Sequence, residues 1–437
     1  MRIKTDIVIV GSGAGGAALA KELATKGKRV LILERGPELN IRKLGTLRTA
    51  VLDCYDKFAL RASKEGTITY RALVTGGTTV VSCGSAMRVL EDDLSGRGID
   101  LTQEYPQIEE ELNIKPLPDK LISKRSRLIM DAANRLGYEM RPMPKFIDEK
   151  RCISCGQCVL GCKTGAKWMA IEYVEAARKA GAGLINGINV KSVVVKDGKA
   201  IGLVANTHRG KVRIYAEKII LSAGGLGTPV ILRKSGIKKA GNRLFGDFFN
   251  VTYGISRDKH IDLGKDPAMA VGSTKFMKSK GFIMSSFVDV PFVLRWVMPK
   301  IKQFKGFKYK DLLGIMVKIQ DENLGKVNGD GRFEKTPTAE DIRKLDEGAG
   351  MAKEILMEAG IREKDIIFTG PRAAHPGGSA AIGEVVDKNL ETEIKNLFVC
   401  DASVLPKSSG APPIVTIIAL AKRLSAYMDM DERGSSW

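Results

Sequence analysis

The chain has little with which to build some kinds of protein. Histidine occurs three times in 437 residues, as His208, His260 and His375, so any imidazole chemistry falls to one of three side chains. Cysteine occurs seven times. That is too few for a disulfide scaffold, and the odd count leaves one thiol over in any fully paired scheme. No stretch reaches the roughly 20 apolar residues that a spanning helix needs. Residues 281–300 are interrupted by Asp289, Pro291 and Arg295, and residues 410–421 are too short. The opening Met1-Arg2-Ile3-Lys4 leads straight into a strand pattern and leaves no room for a signal peptide. The expected compartment is the cytoplasm, where thiols stay reduced and available for metals or redox chemistry.

What is present is the balance of a folded, water-facing protein: 44% apolar and 27% charged residues. Length alone suggests two or three domains. Lys plus Arg is 70 against 50 for Asp plus Glu, giving a formal charge of +20.

The first forty residues carry the clearest local signal. Asp6-Ile7-Val8-Ile9-Val10 is a short apolar run of the kind buried parallel strands show. Gly11-Ser12-Gly13-Ala14-Gly15-Gly16 follows, then an Ala- and Leu-rich helix pattern, then a second strand, Arg29-Val30-Leu31-Ile32-Leu33, ending in Glu34. This is the dinucleotide-binding order of strand, G-x-G-x-x-G, helix, strand and acid. Gly11 serves the tight turn, Gly13 the close approach of a pyrophosphate, and Gly16 the packing of helix on sheet. The helix N-terminus offers free N–H groups to the phosphate. Glu34, 23 positions after Gly11, suits ribose hydroxyls and argues against the 2′-phosphate of NADP. The motif does not separate FAD from NAD.

Three later segments do. Gly76-Gly77-Thr78-Thr79-Val80-Val81-Ser82-Cys83-Gly84 resembles the loop beside the flavin in glucose–methanol–choline (GMC) oxidoreductases. The stretch from Ile219-Ile220-Leu221-Ser222-Ala223-Gly224 to Pro229, with Ser235-Gly236-Ile237, resembles their second signature. Asn396-Leu397-Phe398-Val399-Cys400-Asp401-Ala402-Ser403-Val404-Leu405-Pro406, with an apolar helix from about Pro413, resembles their C-terminal flavin segment. His375-Pro376-Gly377-Gly378 stands where that family has its active-site histidine. The matches come in family order and span nearly the whole chain.

The resemblance implies an α/β fold: a discontinuous Rossmann-like FAD-binding domain from residues 1–110, 170–250 and 375–437. A linker with a small cysteine-rich insert would occupy 111–169, and an α+β substrate or cap domain 251–374. It implies cofactor contacts from Gly11, Gly13, Ala14, Gly16, Glu34 and Arg35 in the opening unit. Gly76, Gly77, Thr78, Ser82 and Cys83 would add contacts from the second loop, with Val190, Ala223, Gly224, Asp401, Ala402 and Pro413 from later segments. The chain's own pattern adds a hairpin over residues 193–204, turned at Asp197-Gly198. A helix entered through Pro412-Pro413 would aim its N-terminal dipole at the flavin and stabilise a reduced, anionic ring.

In the family, the role of the histidine matching His375 is general base, taking the alcohol proton while hydride goes to flavin. Its ordinary pKa near neutrality suits that task. The plain alternative is a structural histidine bonded to backbone. One departure stands out. Eleven residues after the Asp that matches Asp401, the family has a second His or Asn; here the residue is Pro412, which has no side-chain donor or acceptor. Either another residue supplies that contact or the chemistry differs.

Cys152, Cys155, Cys158 and Cys162 form C-x2-C-x2-C-x3-C, the bacterial ferredoxin spacing. Such a loop can wrap thiolates around a [4Fe-4S] cluster, with Gly156 and Gly161 giving backbone freedom. Lys163, not proline, follows the fourth cysteine, and no second run exists. Cys83 and Cys400 are alternative closing ligands, and Cys54 reads as a core residue. Zinc on four thiolates, a disulfide loop, and a metal-free stretch of the kind some GMC relatives carry through Gly165-Ala166-Lys167 remain open.

Residues 295–310 hold six basic side chains and no acid until Asp311, among Phe287, Phe292, Trp296, Phe304, Phe307 and Tyr309. Three uses fit: a peripheral membrane-surface contact, a greasy substrate mouth with a rim attractive to an acidic carrier, or a solvated Lys-rich face. No nucleic-acid motif accompanies it. The leading reading is an FAD-dependent dehydrogenase of an alcohol or hydrophobic hydroxy compound, passing electrons singly through the cluster to a carrier such as ferredoxin. The alternatives are a ferredoxin-driven reductase of a carbonyl or C=C bond, and an electron-transfer subunit within a hetero-oligomer.

Overall fold

The computed structural model describes residues 2–56, 63, 65–257, 263–298 and 309–434. His260, Lys300, Lys302, Phe304, Lys305 and Phe307 lie outside these, as does the side chain of Trp296.

The strand Arg2–Val10 sits at the centre of the first sheet, flanked on one side by Val30–Leu33 and on the other by Gly210–Leu221, both parallel to it. Ile7, Val8, Ile9 and Val10 are buried, as strands covered on both faces must be. Gly183–Ile185 extends the sheet beyond Val30–Leu33, and Leu397–Val399 runs parallel to the end of Gly210–Leu221. The other half of that long strand turns to an antiparallel hairpin, Asn189–Lys196 with Lys199–Thr207. Its turn is the expected one: Asp197 and Gly198 both have positive φ, 49° and 72°, as a two-residue hairpin turn requires. The helix Ala14–Thr25 packs between Ile171–Lys179 and Ile414–Gly434. Its buried Ala17, Ala18, Ala20 and Ala24 permit that close approach. The Rossmann-like expectation holds.

A second, antiparallel sheet runs Ile366–Phe368, Phe248–Ile255, Leu312–Ile319, Phe282–Ser286, Val271–Ser273 and Arg141–Pro142, with Arg372–Ala373 beside Phe248–Ile255. Alternation along Leu312–Ile319 sorts its side chains. Leu313, Ile315, Val317 and Ile319 enter the core formed with the helices Lys124–Arg135 and Ala339–Glu358, while Leu312 and Met316 join the core of the first sheet. Residues 111–169 therefore do more than link. Ser126, Ile129, Ala132 and Ala133 of Lys124–Arg135 are buried at helical spacing against the second sheet, and Arg141–Pro142 adds an edge strand to it. Among the described residues, no helix is long and apolar enough to cross a membrane.

Candidate active site

A cleft of about 640 Å³ opens between the glycine turn of the first sheet and the inner face of the second, within the size range of cofactor sites. The glycines explain its shape. A Cβ on Gly11, at φ +103°, would lie 2.2 Å from the Ser222 carbonyl oxygen, so only glycine makes that turn. A Cβ on Gly16 would lie 2.1 Å from the Gly11 carbonyl oxygen, as expected of the residue that lets the helix pack. A Cβ on Gly77, at φ +55°, would lie 3.0 Å from the Gly13 Cα. Gly13 itself is different: a Cβ there meets nothing within 4 Å, so its side faces open space in the cleft. The helix that follows has no side-chain N-cap and no acid in its first turn. Its leading N–H groups thus await an acceptor, which fits the pyrophosphate of a dinucleotide.

The other expected cofactor residues gather on this cleft. Gly11, Ala14, Glu34 and Arg35 line it with Thr78, Ser82 and Cys83 from the second loop, and so do Val190, Ala223, Gly224, Asp401, Ala402 and Pro413. Gly76 and Gly16 support it without lining it; the Gly76 N–H donates to the Ser12 hydroxyl at 3.1 Å. Glu34 is buried and accepts from the N–H and hydroxyl of Ser12 at 3.0 and 2.6 Å and from the Gly36 N–H at 2.8 Å. Burial pushes its carboxyl up from the usual range, against those hydrogen bonds. Asp401 is a clasp: it accepts from the Gly224 N–H at 2.8 Å, the Thr228 hydroxyl at 2.5 Å and the Ser403 N–H at 2.7 Å, tying the second signature to the C-terminal segment. The helix Ile414–Gly434 opens on the cleft through Pro412, Pro413 and Ile414.

His375 lines the cleft, and a residue not picked out in the sequence stands behind it. Asp247 is fully buried, with its Oδ2 2.9 Å from His375 Nδ1. Ser408 donates to Oδ1 at 2.6 Å, the Gly410 N–H donates to the same oxygen at 3.1 Å, and the Ser409 hydroxyl is 2.8 Å from Oδ2. Burial raises the carboxyl, but His375, the nearby Lys318 charge and the Ser408 bond outweigh it, so Asp247 is held below the usual carboxylate range. An ionised Asp247 fixes the Nδ1–H tautomer and leaves Nε2 as the free base. Burial and the charge of Lys318 lower His375 itself, keeping the imidazole neutral. The one sequence hint of Asp247 was an acid inside the apolar stretch Leu244-Phe245-Gly246-Asp247-Phe248-Phe249. Of the other histidines, His208 bonds Arg209 at an exposed hairpin end.

The four clustered cysteines surround a separate small cavity of about 30 Å³, enough for one water. All seven thiols are free. Among the described residues, no three His, Cys, Asp or Glu side chains converge to hold a single ion. The tetrahedral zinc alternative therefore finds no site in this conformation. Burial pushes Cys158 up and Cys152 up to about 11. Cys162 goes the other way: burial raises it, but the Lys167 N–H, the Thr164 hydroxyl and the Lys167 charge prevail. Neither suggested closing ligand lines this cavity. Cys400 lies instead under the first helix, where a Cβ on Gly15 would be 2.0 Å from its carbonyl oxygen. Cys54 is a buried core residue, as expected.

The sequence matches the GMC oxidoreductase family over residues 5–249 and again over residues 332–421. An uncharacterised protein of Methanocaldococcus jannaschii, MJ1450, is 35% identical over 96% of this chain and 98% of its own length. The long-chain-alcohol oxidase FAO4B of Arabidopsis thaliana is 25% identical over 97% of this chain and 67% of its own. Among solved structures, pyridoxine 4-oxidase from Mesorbium loti superposes with a TM-score of 0.74 at 18% identity, covering 98% of this chain and 99% of that one, which shows the shared fold. With the glycine cleft and both family segments in place, the chain belongs to the GMC oxidoreductases and is an FAD-dependent oxidoreductase acting on CH–OH groups.

Proposed function

We propose that the protein is a dehydrogenase of hydrophobic alcohols in which His375 is the general base. The observation that carries this is the His375–Asp247 pair, with His375 lining the same cleft as the glycine turn. FAD, when bound, supplies the hydride acceptor. The chain's residues do the rest. Nε2 of His375 takes the hydroxyl proton, and Asp247 holds the ring and balances the imidazolium that forms. Val159, Leu160, Phe287 and Val293 line the cleft and exclude water from the reacting centre, while Leu47, Val51 and Phe292 are exposed at its rim. Such a mouth favours an apolar tail, and the alcohol oxidase among the relatives agrees with that choice.

Anaerobic titration with primary alcohols of increasing chain length tests the reading. The flavin should bleach, with longer chains the better substrates. His375→Ala should keep its flavin and lose bleaching by at least about a hundredfold. Near-normal bleaching in that variant removes the base role.

A second element of the proposal concerns the four thiols. Lys145 and Lys167 are buried beside them, and among the described residues neither forms an ion pair. Buried ammonium groups call for negative charge nearby, and thiolates binding a [4Fe-4S] cluster at Cys152, Cys155, Cys158 and Cys162 would provide it. When bound, a cluster passes electrons singly, which suits a carrier such as ferredoxin. Anaerobically purified protein should then carry about four iron and four sulfide per chain; flavin without iron would leave the cysteines a structural loop.

A further inference from the structure

The cleft contains a second ionisable group that the base mechanism does not use. Lys318 lies on the strand Leu312–Ile319, paired opposite Phe249 and Ile283, and is the one charge in that buried strand. Its even-numbered position turns it to the cleft, away from the helix-packed face. It is 2% exposed. Among the described residues, its ammonium makes a single hydrogen bond, to the Asp247 carbonyl oxygen at 3.2 Å, and no ion pair. The Phe249 ring lies 4.9 Å from Nζ. An ammonium has three protons to donate, and a buried one left short of acceptors is expensive to hold. The residue it bonds, Asp247, is the one that orients His375. The same cleft is lined by Pro412, where the family pattern would offer a side-chain donor.

We infer that Lys318 is a further catalytic residue, whose ammonium donates a hydrogen bond to the substrate oxygen that His375 deprotonates. The inference rests on the reading of His375 as base. The balance is simple. The O–H bond breaks and its proton goes to His375 Nε2; the C–H bond breaks and its hydride goes to the flavin; a C=O bond forms. Lys318 keeps its protons and stabilises the negative charge that grows on oxygen, as an oxyanion donor in a dry site does. A lysine on the cap sheet thereby makes the contact that Pro412 cannot.

The groups facing Lys318 are Asp247, Cys83 and Asp321, which favour its charge, and Arg372 and His375, which oppose it. Burial dominates and brings it down to about 8. Activity should therefore fall above that pH as Lys318 loses its proton.

The test uses the flavin-loaded protein with acetate as a small oxyanion probe, read by the flavin's visible absorption. Wild-type protein should bind acetate, and binding should weaken as pH rises from 7 to 9.5, a range in which a neutral His375 does not change charge. Lys318→Met should keep its flavin, bind acetate at least about tenfold more weakly, and lose on the order of a hundredfold in kcat/KM with the best alcohol found. Its pH profile should lack the upper limb. Lys318→Arg should keep acetate binding. Acetate binding in wild type that is flat over this pH range overturns the inference without any variant. So does a Lys318→Met protein that binds acetate and turns over as wild type does. If no alcohol bleaches the flavin yet acetate binding depends on Lys318, the alcohol reading fails and the oxyanion donor stands.

Discussion

At φ +48°, Asp247 holds a left-handed backbone that few side-chain-bearing residues adopt, Asp and Asn being among the exceptions. Asp321 holds it there, accepting the N–H of Gly246 and of Asp247 and pairing with the buried Lys335 at 2.6 Å. Strain of this kind survives where the surroundings over-determine it, and here it aims a carboxylate at His375. Asp247→Asn keeps the shape and can still occupy the left-handed region. Its amide can donate to Nδ1, which moves the ring proton to Nε2 and removes the base. We expect flavin content to be unchanged and kcat to fall by on the order of a thousandfold or more, measured by stopped-flow bleaching. Stability carries a second residue-scale signature. With a folded pKa near 8 against an ordinary 10.5, Lys318 binds fewer protons in the folded state between those values, so its penalty is full below pH 8 and fades as pH rises to 10.5. The buried thiols work in the opposite direction above pH 9, so the useful quantity is a difference. Lys318→Met should be at least as stable as wild type at pH 7, and its advantage should shrink by at most about 3 kcal/mol by pH 10.5. Urea denaturation at the two pH values measures this; an advantage that grows with pH contradicts the assignment.

At the scale of elements, the glycine turn separates packing from binding within three residues. Gly13→Ala adds a methyl that touches no protein atom, at φ −70°. The flavin-free protein should melt within about 0.5 kcal/mol of wild type, while flavin affinity drops, because the methyl occupies the open side of the cradle. Gly15→Ala instead drives a methyl into the Cys400 carbonyl, 2.0 Å away. It should lose about 3 kcal/mol or more as helix and sheet part. Melting curves of both variants without flavin distinguish the two; equal losses would mean the turn is not built as described. This turn and the Asp197-Gly198 hairpin were legible in the sequence because their rules are local: a few neighbouring residues set φ, ψ and hydrogen bonds. Asp247 and Lys318 were not, because each acts across the chain. Asp247 meets a histidine 128 positions away. The signal available was the same for both, a single charge inside a stretch otherwise buried and apolar, and that pattern says a partner exists without saying which. The helix Lys124–Arg135 fell between these cases: its amphipathic spacing is readable, but the sheet it covers is not.

At the scale of the whole molecule, Lys167 joins the cysteine loop to the cofactor cleft. It is 1% exposed. Its ammonium lies 2.8 Å from the carbonyl oxygens of Val80 and Ser82, 3.3 Å from that of Thr79 and 3.1 Å from that of Cys158. Three of those carbonyls belong to the loop that also sets Gly77 against Gly13, and the fourth belongs to a cysteine of the small cavity. Its stem packs on Gly84, 3.1 Å from where a Cβ would stand. One side chain therefore bonds two loops that lie about 80 residues apart in sequence. Lys167→Met keeps most of the stem and removes the ammonium from four inward carbonyls; those of Thr79 and Cys158 still accept from the Ser82 and Gly161 N–H groups, so among the described residues the uncompensated desolvation falls on Val80 and Ser82. We expect a loss of about 3 kcal/mol or more, and we expect two sites to respond together: flavin retained through gel filtration should fall, and in iron-free protein the Cys152, Cys155, Cys158 and Cys162 thiols should react faster with a maleimide. A variant that loses flavin while its thiol reactivity stays at the wild-type rate would show that the two loops are held independently, and that the cysteine cavity is not mechanically part of the active-site wall.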